Sequence, residues 1–136
     1  MSIKILAQCR CGEVTFKSTA EPVIQLSCHC ADCRDATHQD FSNIAFFKMN
    51  TTEVTGELTQ KNYMSDSGNK TQRDACASCG TLMFDTSEGF PGLKGVFSQH
   101  IQAPFVSDPK CHVWVESKLP ETELPSNSVQ YRKGLN

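Results

Sequence analysis

A mainly β fold is predicted for this 136-residue chain by three observations. Apolar and polar residues alternate with period two over short stretches, as in residues 13–17. Gly, Pro, Asn and Ser punctuate those stretches at turn-like spacing. Only residues 31–37 carry a run of helix formers free of Gly and Pro, so one short helix is expected there, after a central cysteine motif. The length suits a single domain with a modest core. Residues 1–120 read as that domain. Residues 121–136 have scattered polar residues and no periodicity, and read as a tail wrapping its surface.

The elements follow in order. Residues 3–8 read as a first strand, and Cys9-Arg10-Cys11-Gly12 as a tight turn in which Gly12 can take positive φ. Residues 13–17 alternate so that Val14 and Phe16 face a core. Pro22 breaks the chain, and residues 23–27 form a strand that runs into Cys28. A helix over 31–37 would point its first amides toward the neighbouring sulfurs and favour thiolates. Residues 44–47 are apolar enough for a central strand. Residues 53–56 read as a turn, 57–64 as a half-exposed strand and 65–70 as a polar hairpin loop. Residues 71–75 lead into Cys76-Ala77-Ser78-Cys79-Gly80, and 81–84 leave it as a strand. Residues 88–92 turn. Residues 93–98 and 112–116 are the last strands, joined by a long loop over 99–110.

Eight cysteines could make a disulfide framework or a metal framework. Spacing favours metal. Cysteines two apart on extended backbone place both sulfurs on one face, converging on a shared ion more readily than on each other. No apolar run approaches the roughly 20 residues of a membrane span, and the N-terminus lacks the apolar segment of a secretion signal. A reduced, cytoplasmic setting is therefore expected, with Asn50-Thr51-Thr52 unglycosylated. The formal charge of −2 and the lack of a basic run argue against nucleic-acid and membrane partners.

Cys9, Cys11, Cys76 and Cys79 supply four thiolates from two turns. Four sulfurs complete a zinc tetrahedron and leave no position for substrate, so this site is expected to be structural. Cys28, Cys30 and Cys33 offer three sulfurs from one local segment. Three ligands with an exchangeable fourth position is the pattern of catalytic zinc. Two zinc ions per chain are thus expected. Two alternatives stand beside this reading. The trio could be closed by His29, His38, His100, His112 or Cys111. Or Cys28 and Cys33 could pair with Cys76 and Cys79 as a zinc ribbon. His29, between two ligands, should point to the opposite face and pack without ligating, and Cys111 reads as a buried thiol.

Taken together the motifs resemble the glutathione-dependent formaldehyde-activating enzyme family, which includes the centromere protein V type. The matching stretches are Cys9-Arg10-Cys11-Gly12, Cys28-His29-Cys30-Ala31-Asp32-Cys33-Arg34, Cys76-Ala77-Ser78-Cys79-Gly80-Thr81 and His112-Val113-Trp114-Val115-Glu116-Ser117-Lys118. The resemblance implies a β-tent of folded antiparallel sheets. It also implies structural zinc on Cys9, Cys11, Cys76 and Cys79, and catalytic zinc on Cys28, Cys30 and Cys33. The activity it implies is a carbon–sulfur lyase reaction joining glutathione and formaldehyde to S-hydroxymethylglutathione. Three positions depart from the family pattern: His38 stands where a small residue is usual, Ala75 where an aromatic is common and Glu121 where Trp is common. His38 is accordingly a candidate pocket residue.

The expected function is a zinc-dependent carbon–sulfur lyase acting on a thiol adduct, with a small thiol such as glutathione as partner. The alternative is a non-catalytic, zinc-stabilised binding module.

Overall fold

A computed structural model describes residues 5–64, 68–125 and 128–133, the side chains of Asp32, Cys33 and Ala36 excepted. The first two residues of the predicted opening strand and half of the 65–70 loop, residues 65–67, therefore lie outside the described residues. The strands are β1 (Ile5–Gln8), β2 (Thr15–Ser18), β3 (Ile24–Cys28), β4 (Ser42–Lys48), β5 (Thr52–Thr55) and β6 (Leu58–Met64). Then come β7 (Lys70–Cys76), β8 (Leu82–Ser87), β9 (Leu93–Phe97), β10 (Cys111–Val113) and β11 (Val129–Gln130). A helix, α1 (Ala31–Thr37), follows β3. Among the described residues the strands form a three-stranded sheet, β1-β2-β5, and an eight-stranded sheet, β11-β10-β3-β4-β9-β8-β7-β6.

The pairing is antiparallel except at one edge, where β10 runs parallel to both β3 and β11. Short connections join the antiparallel pairs β1–β2, β6–β7, β7–β8 and β8–β9, whereas β2–β5 and β4–β9 are antiparallel pairs made across long stretches of chain. β10 comes back to β3 after a long excursion through the rest of the sheet, which frees it from hairpin geometry. Two expected boundaries change. Residues 53–55 belong to β5, paired with β2, rather than to a turn. β10 ends at Val113, because Trp114 takes left-handed backbone with φ +57° and residues 115–117 form a 3-10 turn.

The small sheet packs on one face of the large one. Ile5, Ala7, Val14 and Phe16 meet Ala45, Phe47, Met83, Phe84 and Val96 there. Phe16 is fully buried, with ring centroids 5.1 Å from Phe47 and 5.9 Å from Phe84. Burying one such ring stabilises the fold by about 2–3 kcal/mol. The opposite face carries a second cluster of Leu26, Cys28, Ile44, Phe46, Phe97, Cys111 and Val113, with Cys30, Leu82, Phe90 and Trp114 packed against it.

One irregularity decides which residues share that second face. β7 pairs Asp74 with Phe84 but Ala75 with Leu82, so Met83 is an extra residue in β8. The bulge breaks the period-two alternation. Met83 and Phe84 both enter the first core, and Leu82 packs in the second.

Candidate metal centre

The turn at Cys9 and the turn at Cys76 are two versions of one local design. In each, the first cysteine's amide donates to the carbonyl five residues on, Cys9 to Val14 at 3.1 Å and Cys76 to Thr81 at 2.9 Å. In each, a glycine amide donates back to that cysteine's carbonyl, Gly12 at 3.1 Å and Gly80 at 2.9 Å. Both glycines take positive φ, +82° and +76°, where a Cβ would strain the backbone. The tight turns aim further amides at sulfur. Val14 donates to Cys9 Sγ at 3.3 Å, and Ser78 and Cys79 both donate to Cys76 Sγ at 3.4 Å.

The fold brings the turns together. The sulfurs of Cys9, Cys11, Cys76 and Cys79 all lie within 4.8 Å of one another. Cys9 and Cys11 are 3.5 Å apart, and Cys11 and Cys76 3.7 Å. A zinc–sulfur bond of about 2.3 Å in a tetrahedron requires sulfurs about 3.8 Å apart, so the group fits one zinc ion. The Thr81 hydroxyl ties the turns, accepting from Arg10 Nε at 3.2 Å and lying 3.0 Å from Cys79 Sγ.

The thiols are held unequally. Hydrogen bonds from the Thr81 hydroxyl and amide pull the Cys79 thiol down to about 5. At Cys11 the Glu13 amide pulls down, but burial and the three neighbouring sulfurs outweigh it and push the thiol up to about 12. Cys9 ends below its ordinary value: burial pushes it up, but the Val14 amide and the sulfurs of Cys11 and Cys76 lower it further. Four sulfurs this close cannot all ionise without a cation among them, which is the electrostatic demand that a divalent metal meets.

The central trio is built differently. Cys28 is buried at the end of β3, and Cys30 is half-buried just before α1. Their sulfurs are 3.4 Å apart. The Cys33 side chain lies outside the described residues. The junction is braced from behind. Arg34 Nη1 donates to the His29 carbonyl at 2.6 Å and also to the Ser117 carbonyl. The His29 amide donates to Val113 at 3.1 Å, joining the junction to the end of β10.

His29 is fully buried, as packing without ligation requires. Its Nε2 lies 3.1 Å from His112 Nδ1, and its ring centroid 4.8 Å from that of Phe41. Burial, then the charges of His112, Lys118 and Arg34, pulls His29 down to about 4. Burial also lowers His112, so the pair is neutral near pH 7. The ribbon alternative fails, since Cys76 and Cys79 join Cys9 and Cys11. Cys111 is buried in the second cluster, and its thiol is pushed up by burial. His100 is half-buried, and burial lowers it. His38 is exposed, at the end of α1, with φ +56°. That left-handed position is where a helix most easily ends on glycine, which accounts for a small residue being usual there.

Two functional-looking residues escaped the sequence reading. Arg73 and Asp85 are opposite each other on β7 and β8, both nearly buried, with Nε and Oδ2 3.6 Å apart. The signal was present in part, as a charged residue following the apolar run Leu82-Met83-Phe84.

The family description for glutathione-dependent formaldehyde-activating enzymes matches residues 4–117. The chain belongs to this family. The match takes in both cysteine turns and the central motif, and gives a zinc-binding function related to glutathione and formaldehyde at the level of the family. Among solved structures, a Rhodobacter sphaeroides protein determined by structural genomics is similar in fold, with a TM-score of 0.57 and 17% identity. The similarity covers 93% of this chain and 98% of that one. No curated protein matches the sequence. Among the described residues no helix is long and apolar enough to cross a membrane.

Proposed function

We propose that this chain is a zinc-dependent carbon–sulfur lyase that interconverts glutathione, formaldehyde and S-hydroxymethylglutathione. The observation that carries the reading is the division of the cysteines. Cys9, Cys11, Cys76 and Cys79 form a complete four-sulfur group, and Cys28 and Cys30 lie outside it. On this reading the first group is structural, and Cys28, Cys30 and Cys33 hold the catalytic ion. A zinc ion there would accept a thiol in its fourth position and lower the thiol's pKa far enough to make it a nucleophile at neutral pH.

The chain's own residues supply the rest. Arg34 and the His29–His112 pair brace the strand–helix junction from behind, so the sulfurs keep their spacing. Cys28 belongs to the second hydrophobic cluster and Cys30 packs against it, as do Leu82 and Trp114, so the thiol site has apolar surroundings. Residues 1–120 form the working domain on this reading. The tail, 121–136, lies on its surface, and its pairing with β10 through Val129 and Gln130 supports that.

The test begins with metal content: two zinc ions per chain are expected. Exchange NMR on glutathione and formaldehyde should show faster adduct formation and cleavage than the uncatalysed mixture. Two bound zinc ions with unchanged exchange rates would sink the lyase reading and leave a zinc-stabilised binding module.

A further inference from the structure

We propose that residues 129–133 are a releasable strap that governs how fast metal and thiol enter and leave the cysteine trio, by holding the turn after β10 against the strand–helix junction. The proposal rests on the reading of Cys28, Cys30 and Cys33 as a metal site. It stands on a run of backbone hydrogen bonds. The amides of Trp114, Val115 and Glu116 donate to the carbonyls of Lys133, Tyr131 and Arg132 at 2.9, 3.1 and 3.2 Å. In return the Tyr131 amide donates to the His112 carbonyl at 2.8 Å, just past the two-residue pairing of β11 with β10. Three consecutive amides of the turn are therefore satisfied by the tail.

The turn is tied at both ends to His29, the residue between Cys28 and Cys30. Before it, Val113 is the register partner of Cys28, and its carbonyl accepts from the His29 amide at 3.1 Å. After it, the Ser117 carbonyl shares Arg34 Nη1 with the His29 carbonyl. Between these ties Trp114 packs against the cluster that contains Cys28. A shift of the turn is thus a shift of groups that fix the spacing of Cys28 and Cys30. The turn also has a reason to move. Trp114 holds left-handed backbone, φ +57° and ψ +37°, which a bulky residue keeps only where its surroundings impose it. The strap's three carbonyls are part of that imposition, and without them the turn relaxes.

The strap itself is lightly held. The side chains of Val129, Gln130, Tyr131, Arg132 and Lys133 are all exposed, so its docking buries little apolar surface. A strand kept for stability alone would bury one of its faces; this one leaves both exposed. Its ion pair, Arg132 Nε to Glu116 Oε2 at 3.1 Å, lies at the surface, where such pairs contribute little. The root of the tail stays with the domain, because Lys118 Nζ donates to the carbonyls of Leu119 and Thr122. The strap can therefore lift away while the sheet stays folded, as weakly buried hydrogen-bonded edges do.

The test is amide hydrogen exchange by NMR on the full-length, zinc-loaded protein, with zinc release to a chelator as its second arm. The amides of Trp114, Val115, Glu116 and Tyr131 should exchange together, protected about 100- to 1,000-fold, whereas those of β3 and β4 should be protected at least about 10⁴-fold. Exchange of the four only together with the rest of the sheet overturns the proposal. Tyr131→Pro removes the amide that reaches His112 and should release the strap. Tyr131→Ala keeps that amide and serves as the control. With the strap released, one of two zinc ions should pass to the chelator at least about fivefold faster than from the wild type, and the other at the wild-type rate. Tyr131→Ala should stay within about twofold of the wild type for both ions. Wild-type release of both ions from Tyr131→Pro, with its Trp114, Val115 and Glu116 amides unprotected, overturns the proposal and leaves the metal reading intact. A chain that binds a single zinc ion removes the metal reading of the trio and the proposal with it.

Discussion

The outer cysteine group and the central trio solve opposite problems. The outer sulfurs come from turns far apart in the chain, Cys11 and Cys76 being 65 positions apart, and each turn carries its own amide donors to sulfur. A metal there closes a long loop, so binding and folding are one event. The trio comes from one junction between β3 and α1, and the sheet around it is already held by register and by the His29–His112 contact. A site whose ligands are local costs the fold little to lose. On the proposed reading, that difference in ligand separation along the chain is what makes the outer ion structural and leaves the inner one available to substrate.

The comparison breaks most readily at the outer site. Cys76→Ala should unfold the chain, because structural zinc contributes on the order of 10 kcal/mol in small domains. Circular dichroism and a collapsed amide NMR spectrum would show it, and a variant with native-like melting would contradict the assignment. Cys30→Ala should instead lose one zinc ion per chain and all lyase activity while melting cooperatively. Unfolding of that variant would make the second ion structural as well.

Asp85, buried beside Arg73 in the large sheet, offers a separate test through pH. Its folded-state value is raised to about 6 from an ordinary 3.8. The protonated carboxyl therefore favours the fold fully below about 4, and that stability is lost as pH rises through about 6. The loss is on the order of 2–3 kcal/mol. Denaturant melts of the wild type and Asp85→Asn between those pH values should differ in slope accordingly, the variant lacking this contribution. Parallel slopes would mean that Asp85 ionises normally. The smallest expected effect is at the end of α1. His38 holds a left-handed backbone, and His38→Gly should stabilise the protein by about 0.5–1 kcal/mol, read from thermal melts. A destabilised variant would show that the imidazole makes a contact worth more than the backbone relief.

The β class was legible because alternation survives in short strands such as 13–17, where Val14 and Phe16 are both buried. The four-sulfur group was legible because paired cysteines at short spacing have few other uses. β5 was not legible, since Thr52–Thr55 are few and mixed, and their pairing with β2 is a long-range choice. The end of β10 was hidden likewise, because nothing local announces the left-handed Trp114.

What the amino-acid order determines by itself is the local grouping of cysteines into two turns and a trio; that the turn at Cys9 meets the turn at Cys76 is decided by the tertiary structure. The tertiary structure alone decides what surrounds them. The bulge at Met83 resets the alternation of β8, placing Leu82 in the second cluster while Met83 and Phe84 enter the first. A strict period-two reading would have put Leu82 with Phe84. Side-chain direction in a strand depends on pairing register, register is chosen by contacts remote in sequence, and one extra residue reverses it.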